Sequence, residues 1–255
     1  MGAPREDRIV FYAAAVSSFL ETSVPLYTRE LRVMFAADPD VVEWLDRVWE
    51  PEETGHGALM REYLERTWPE YRWEDAYSAF LAEYRGYCGP QLLRPSPARE
   101  LLSRCVTECQ AAMLYRTLAS YSRDPEARRR FAGMYADEVR HYKEFLRAFR
   151  RYRQQESLDA LSILRGLVRR RSKAQVEDAG TALRYVNYGW SRSLPFAPLG
   201  EEGVVEAARA CMRPHFPLDS ARQMMVKPLQ VASPAGRVLA RLLGLAISYR
   251  TQPVV

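Results

Sequence analysis

The sequence contains few histidines and cysteines and no long hydrophobic run. Three histidines and four cysteines occur among 255 residues. No two cysteines form a C-x-x-C pair, which argues against a disulfide scaffold and against a four-thiolate metal site. No apolar run approaches the roughly 20 residues of a membrane helix, and the first residues lack the apolar segment of a signal peptide. We therefore expect a soluble protein of the reducing cytoplasm.

The charge is unevenly distributed along an otherwise ordinary globular composition. Apolar residues make up 47% of the chain, charged residues 27%, and the net charge is +5. Residues 128–173, here called the basic segment, contain 14 Lys and Arg but only 5 Asp and Glu. Such a segment attracts anionic partners or is simply a solvated helix face. Because aromatic residues are sparse in it, we do not expect nucleic acid to bind there.

The spacing of apolar residues predicts an all-α fold. Steps of three and four residues predict helices over 5–36, 40–67, 73–88, 97–122 and 125–153. Proline and glycine separate these segments. A less regular helical pattern continues over 156–189, a loop follows at 191–200, and further helices are predicted at 201–212, 219–230 and 234–249.

Two of the predicted helices carry a Glu-x-x-His pair within their apolar stripe. Glu53 and His56 lie between Trp49 and Met60, and the pair Glu138 and His141 repeats this arrangement in the helix over 125–153. Residues three apart share one face of a helix, so each carboxylate and its imidazole point the same way. Two of the three histidines in the chain have this pattern.

Two other helices place a single glutamate on their inner stripe. Glu21 lies between Ser17 and Val24, and Glu108 lies between Cys105 and Ala112. Four buried carboxylates carry a charge of −4, which two divalent ions would neutralise. Two lone glutamates with two Glu-x-x-His pairs form the ligand pattern of di-iron carboxylate bundles. The alternative is two unrelated buried hydrogen bonds between histidine and glutamate.

An acidic residue precedes the glutamate of each pair. Ligating histidines commonly donate their second N–H to a carboxylate. We therefore predict that Asp137 pairs with His56 and that Glu52 pairs with His141; the alternative for both acids is plain surface charge. His215, between Pro214 and Phe216, is predicted to be a surface or packing histidine.

Three sequence blocks resemble the ferritin-like di-iron oxidases, most closely the soluble acyl-carrier-protein desaturases. They are LETSVPLY at 20–27, WEPEETGHGALMREYL at 49–64 and ADEVRHYKEF at 136–145. The resemblance implies a ferritin-like bundle over 5–153, followed by a helical extension over 154–255. It assigns two irons to Glu21, Glu53, His56, Glu108, Glu138 and His141. Trp49 and Asp137 match positions that surround the ligands.

The resemblance also implies an activity. It predicts an enzyme that activates O2 at two irons and oxidises C–H bonds of an apolar, acyl-type substrate. An acidic electron donor such as a ferredoxin, and an acyl carrier protein, would then bind the basic segment at Arg150, Arg151 and Arg153. A homodimer is also expected. The block YSRDPEARRRFAGMYADEVRH at 121–141 is similar to the aldehyde-deformylating oxygenases as well. A tRNA-modifying di-iron oxygenase and a non-catalytic or iron-storing ferritin-like protein stay open as alternatives.

Small and apolar residues near the predicted ligands are candidates for a substrate channel. They are Ala15, Ala111, Ala112, Met60, Met134 and Tyr142. The desaturases carry a small hydroxylic residue where this chain has Ala111, and we expect Ala111 to lie nearest the open side of the metals. Ordinary close packing of helices is the alternative for these residues.

The second metal-binding helix contains residues that disfavour a regular helix. Pro51 lacks a backbone N–H two residues before Glu53, and Gly55 and Gly57 flank His56. We therefore expect this helix to be bent or bulged beside the metals.

Overall fold

The described regular structure is entirely helical, as the apolar spacing predicts. The computed structural model describes residues 4–230 and 237–241, with side chains at all of these positions except 4, 92, 168–177 and 230. Its α-helices are α1 (Arg8–Thr22), α2 (Pro25–Met34), α3 (Pro39–Trp44), α4 (Glu50–Thr67), α5 (Trp73–Tyr84), α6 (Pro97–Tyr121), α7 (Pro125–Gln155), α8 (Ala160–Val186), α9 (Glu201–Met212) and α10 (Leu218–Gln230). Residues 237–241 are also helical, and the rest of the helix predicted at 234–249 lies outside the described residues.

Aspartates begin several of these helices where the sequence predicts a break. The Asp7 carboxylate accepts hydrogen bonds from two amides in the first turn of α1. Asp38 caps α3 and Asp124 caps α7, and in both cases proline occupies the next position. The side-chain acceptor binds free amides of the first turn, and the proline lacks the N–H that would otherwise need a partner there.

The first predicted helix, over 5–36, is interrupted, which corrects the sequence interpretation. It consists of α1 and α2, which are bent by 42° at Ser23 and Val24. Pro25 explains the break, because its ring clashes with the preceding turn and it cannot donate a helical hydrogen bond. No single described helix has both the length and the hydropathy of a membrane span, although α1 and α2 counted together pass that test.

The predicted distortion of the second metal-binding helix is present, but it lies about two turns before the glycines. A π-helical turn spans Leu45–Trp49, and the amide of Glu50 donates to the carbonyl of Leu45. From Glu50 onward α4 is a regular helix. The wider turn accommodates the ring of Pro51, which would otherwise press on the carbonyl four residues earlier.

The chain divides into two compact units. The first unit comprises residues 1–93, 118–132 and 174–215, and the second comprises 94–117, 133–173 and 216–255. The domain boundary predicted near residue 153 stays a prediction.

In the first unit, α1 and α4 pack antiparallel along their length. Gly57 lies against Thr22 near one end, and the indole of Trp68 donates to the carbonyl of Arg5 beyond the other end, at 2.8 Å. Phe11 packs edge-on against Trp68 with ring centroids 5.2 Å apart. These contacts fix the register of the two helices.

In the second unit, α10 holds α6 and α7. The hydroxyl of Tyr142 on α7 donates to the carbonyl of Met224 at 2.6 Å. The guanidinium of Arg116 on α6 donates to the hydroxyl of Ser220 at 2.6 Å. Ala221 of α10 and Cys109 of α6 are both buried on this side.

Candidate metal centre

All six predicted ligands are buried side chains. Their exposed fractions lie between 1% and 7%, for Glu21, Glu53, His56, Glu108, Glu138 and His141. Carboxylates are rarely buried to this extent unless they are paired or coordinate a metal. The prediction that these residues lie on inner helix faces is therefore confirmed.

Three of the ligands form a triad within the first unit. Glu21 comes from α1, near its end, and Glu53 and His56 come from one face of α4. One ligand atom from each of the three lies within 4.8 Å of the others. Gly57 permits this, since a Cβ there would lie 2.5 Å from Thr22 Oγ1 and 2.6 Å from the Thr22 nitrogen. The glycine next to His56 thus lets α1 and α4 approach closely.

The other three ligands form a matching triad within the second unit. Glu108 comes from α6, and Glu138 and His141 come from α7. The Nδ1 atom of His141 lies 3.7 Å from Oε2 of Glu108 and 3.7 Å from Oε2 of Glu138. These distances exceed a normal hydrogen bond. They fit atoms that share one metal ion, since ligands about 2 Å from a metal lie about 3–4 Å from one another.

The two triads have the same donor set of two carboxylates and one imidazole. Oxygen and nitrogen donors of this kind bind divalent transition metals such as iron and manganese, and one divalent ion neutralises two carboxylates. The residues present therefore fit a metal, and these buried Glu and His clusters can hold one. The repetition matches the two-fold pattern of the sequence.

Two buried cysteines flank Glu108 on α6. Burial raises the pKa of Cys105 well above the usual range of a thiol, and the nearby Glu108 carboxylate raises it further. Burial raises the pKa of Cys109 to about 12. The donors of the second triad are the carboxylate oxygens of Glu108 and Glu138 and a ring nitrogen of His141.

The residues predicted to surround the ligands lie at different depths. Trp49 is buried, with its ring 6.3 Å from that of Tyr27. Glu52 and Asp137 are half-buried, and Asp137 forms an ion pair with Arg140 on the next turn of α7. The predicted pairing of these two acids with the ligand histidines stays a prediction.

The channel candidates are mostly core residues. Ala15, Ala112, Met60, Met134 and Tyr142 are buried, whereas Ala111 is half-buried. The hydroxyl of Tyr142 is already bonded to Met224 of α10, so this side chain is a structural contact as well. A substrate channel along these residues stays a prediction.

Two contacts that sequence reasoning missed tie the start of α7 to α4 within the first unit. The hydroxyl of Tyr63 donates to Oδ2 of Asp124 at 2.7 Å. Arg130 donates to the carbonyl of Leu59 at 2.6 Å and forms an ion pair with Glu62 of α4 at 3.2 Å. Only the Asp-Pro cap was a sequence signal here, because the partners are distant in the chain.

The basic segment is less open than its composition suggests. Arg130 is mostly buried in its ion pairs, and Arg128 donates to the carbonyl of Ser122. Arg153 is half-buried and donates to the carbonyl of Leu158 at 3.3 Å. Arg150 and Arg151 are exposed. The side chains of the cluster at 169–173 lie outside the described residues.

His215 has a packing role, as the sequence predicts. Its Nδ1 lies 3.0 Å from the hydroxyl of Ser120, and its ring packs edge-on against Tyr121. The third histidine therefore has packing contacts of its own and is a member of neither triad.

Comparison with known proteins adds no identification. No protein-family model, no curated protein and no solved structure matches this chain.

Proposed function

We propose that the two triads bind two iron ions, in a ferritin-like bundle. The observation that carries this proposal is the repeated donor set, in which a lone Glu and a Glu-x-x-His pair are buried in each unit. Two divalent irons balance the four carboxylates of the six ligands. Glutamate oxygens and histidine nitrogens suit iron in this geometry.

We further propose that the protein is an oxidoreductase that uses O2 to oxidise C–H bonds of an apolar, acyl-type metabolite. Ferrous iron, when bound, supplies electrons to O2 and so generates the oxidant. The chain holds the metals between rigid helices and buries the ligands to 7% exposure or less, which excludes bulk water. The apolar side chains of Met60, Met134 and Ala112 favour an apolar substrate.

This chemistry requires an external electron donor. Removing two hydrogens from a substrate while reducing O2 to two waters consumes two further electrons and two protons. Arg150 and Arg151 offer exposed positive charge on α7, the helix that carries Glu138 and His141. We propose that an acidic donor such as a ferredoxin docks there, and that an acyl carrier protein uses the same surface if the substrate is carrier-bound. A homodimer is the oligomeric state we propose.

Reaction of the reduced protein with O2 tests the proposed function. The protein is loaded anaerobically with two equivalents of Fe²⁺ per chain and mixed with buffer that contains O2. We expect O2 uptake of about one molecule per iron pair, faster than for free Fe²⁺, with an absorption change from iron oxidation. Glu138→Ala should abolish the fast phase, and His215→Ala should retain it.

The same experiment separates the alternatives. Oxidation no faster than that of free iron contradicts an oxygen-activating centre. Continued uptake of many irons per chain indicates iron storage instead. Turnover of an aldehyde or of tRNA, with no reaction of an acyl chain, retains the oxygen chemistry but overturns the proposed substrate.

A further inference from the structure

One buried hydroxyl near the first triad makes no hydrogen bond. Ser17 on α1 is 2% exposed, and its Oγ has no hydrogen-bond partner among the described residues. Other buried hydroxyls in α1, α2 and the break between them differ, because each donates to a carbonyl three or four residues earlier: Ser18 to Ala15 at 2.8 Å, Ser23 to Phe19 at 2.8 Å and Thr28 to Val24 at 3.0 Å. The Ser17 hydroxyl makes no such bond to its own helix backbone.

The position of Ser17 is one turn from a proposed metal ligand. Ser17 precedes Glu21 by four residues, so the two side chains share a face of α1 at a separation of about 6 Å along the axis. Because α1 and α4 run antiparallel with Gly57 against Thr22, Ser17 lies at about the level of Met60, one turn beyond His56. Ala14 and Met60 are fully buried. The hydroxyl thus lies in the apolar layer next to the triad.

An unpartnered hydroxyl in such a layer is costly to the folded protein. Leaving a buried donor unsatisfied costs about 1–3 kcal/mol. A serine in a helix can donate to the backbone carbonyl three or four residues earlier, as the neighbouring serines do. An orphaned polar atom of this kind, one turn from a metal ligand on the same face of α1, points to a ligand of the site rather than to packing.

We infer that the Ser17 hydroxyl hydrogen-bonds a small ligand bound at an open coordination position of the metal centre. This inference rests on the proposed function, since it requires the metals. The ligand is an oxygen or nitrogen donor of the size of dioxygen or azide, held by the metal at one end. Its outer atom accepts the hydrogen bond from Ser17. The apolar layer strengthens this bond, because it excludes competing water.

Azide is a suitable probe, because it binds iron(III) and produces a visible absorption band. Azide is titrated into the iron(III)-loaded wild-type protein and into the Ser17→Ala and Ser18→Ala variants. Ser18 is the control on the same helix, since its hydroxyl already has two partners: it donates to the carbonyl of Ala15 and accepts from the indole of Trp73, each at 2.8 Å. We expect Ser17→Ala to keep both irons and to raise the Kd of azide about tenfold. Loss of one hydrogen bond to a charged ligand weakens binding by about this factor. The infrared stretching frequency of bound azide should shift in Ser17→Ala alone.

Each outcome decides between the inference and its alternatives. An azide Kd and stretching frequency in Ser17→Ala equal to those of the wild type overturn the role of Ser17 and leave the iron centre standing. A wild-type protein that binds no iron overturns the proposed function and this inference with it. A lower melting temperature for iron-free Ser17→Ala than for the iron-free wild type shows that the Ser17 hydroxyl has a structural partner, which also overturns the inference.

Discussion

Gly57 of α4 lies so close to Thr22 of α1 that a Cβ at position 57 would come within 2.5 Å of the threonine Oγ1. Each residue is the direct neighbour of a proposed metal ligand, since His56 precedes Gly57 and Glu21 precedes Thr22. The contact therefore sets the separation between the ligands that α1 and α4 contribute. Helix spacing and ligand geometry are determined together at this point.

Gly57→Ala should destabilise the protein and weaken metal binding. The added methyl group would force α1 and α4 apart, which costs about 1–3 kcal/mol in a closely packed core. Gly55→Ala is the matched control, because a Cβ there meets no atom within 4 Å. This control should be stabilised by up to about 1 kcal/mol, since alanine favours a helix. Urea unfolding and iron titration measure both effects, and equal behaviour of the two variants would contradict the close contact.

The ligand residues could be predicted from the sequence, whereas the contact that spaces their helices could not. Glu53 and His56 were recognisable because they interrupt an apolar stripe at helical spacing. The role of Gly57 depends on which helix packs beside it, and the residues around Gly57 do not indicate which helix that is. Composition likewise suggested a basic segment over 128–173, but Arg130 is paired with Glu62, which is distant in sequence, as well as with Glu126 one turn before it.

Helix ends were predictable where aspartate and proline adjoin, and less so elsewhere. Asp124 with Pro125 marked the start of α7, because both residues act locally. Pro25, by contrast, lies within a continuous apolar pattern that favours a single helix over 5–36. The ring of Pro25 breaks that helix, and the spacing of apolar residues alone does not predict the break.

The hydrogen bond between Tyr63 and Asp124 should contribute to stability. Tyr63→Phe removes a buried donor 2.7 Å from the carboxylate, and we expect a loss of about 1 kcal/mol. Asp124→Ala should lose more, about 2 kcal/mol, because Asp124 also accepts hydrogen bonds from the amides of Glu126 and Ala127. Chemical denaturation measures both values. A larger loss in Tyr63→Phe than in Asp124→Ala would contradict the additional role of Asp124 as the cap of α7.

Stability should depend on pH through Glu126. The hydrogen bond from Arg66, together with that from Arg130, lowers the pKa of Glu126 from its usual 4.5 to about 2. A carboxyl group whose pKa is lowered by folding stabilises the folded state at pH values above its unfolded pKa. This stabilisation is lost as the pH falls through the lowered pKa. The wild type should therefore exceed Glu126→Gln in free energy of unfolding by the largest amount at pH 6, and this difference should decrease between pH 4.5 and 2. Urea unfolding at each pH measures it, with the exposed Glu202→Gln as control. A difference that does not change with pH would exclude an ionic contribution.

The exposed part of the basic segment should bind an acidic electron donor. Arg150→Glu with Arg151→Glu should weaken the binding of an acidic [2Fe–2S] ferredoxin about tenfold and reduce its salt dependence. A matched variant, Arg192→Glu with Arg209→Glu, changes the net charge equally on exposed residues elsewhere. Titration at two salt concentrations measures the effect. Equal weakening in both variants would show that only net charge matters.

The metal content of the reconstituted protein tests the central proposal most directly. Purified chain is incubated anaerobically with excess Fe²⁺, freed of unbound metal and measured for iron by mass spectrometry. The account predicts two irons per chain in the wild type and in His215→Ala, and one or none in Glu53→Ala and in His141→Ala. A wild-type chain without bound iron, or two irons retained in both ligand variants, would contradict it.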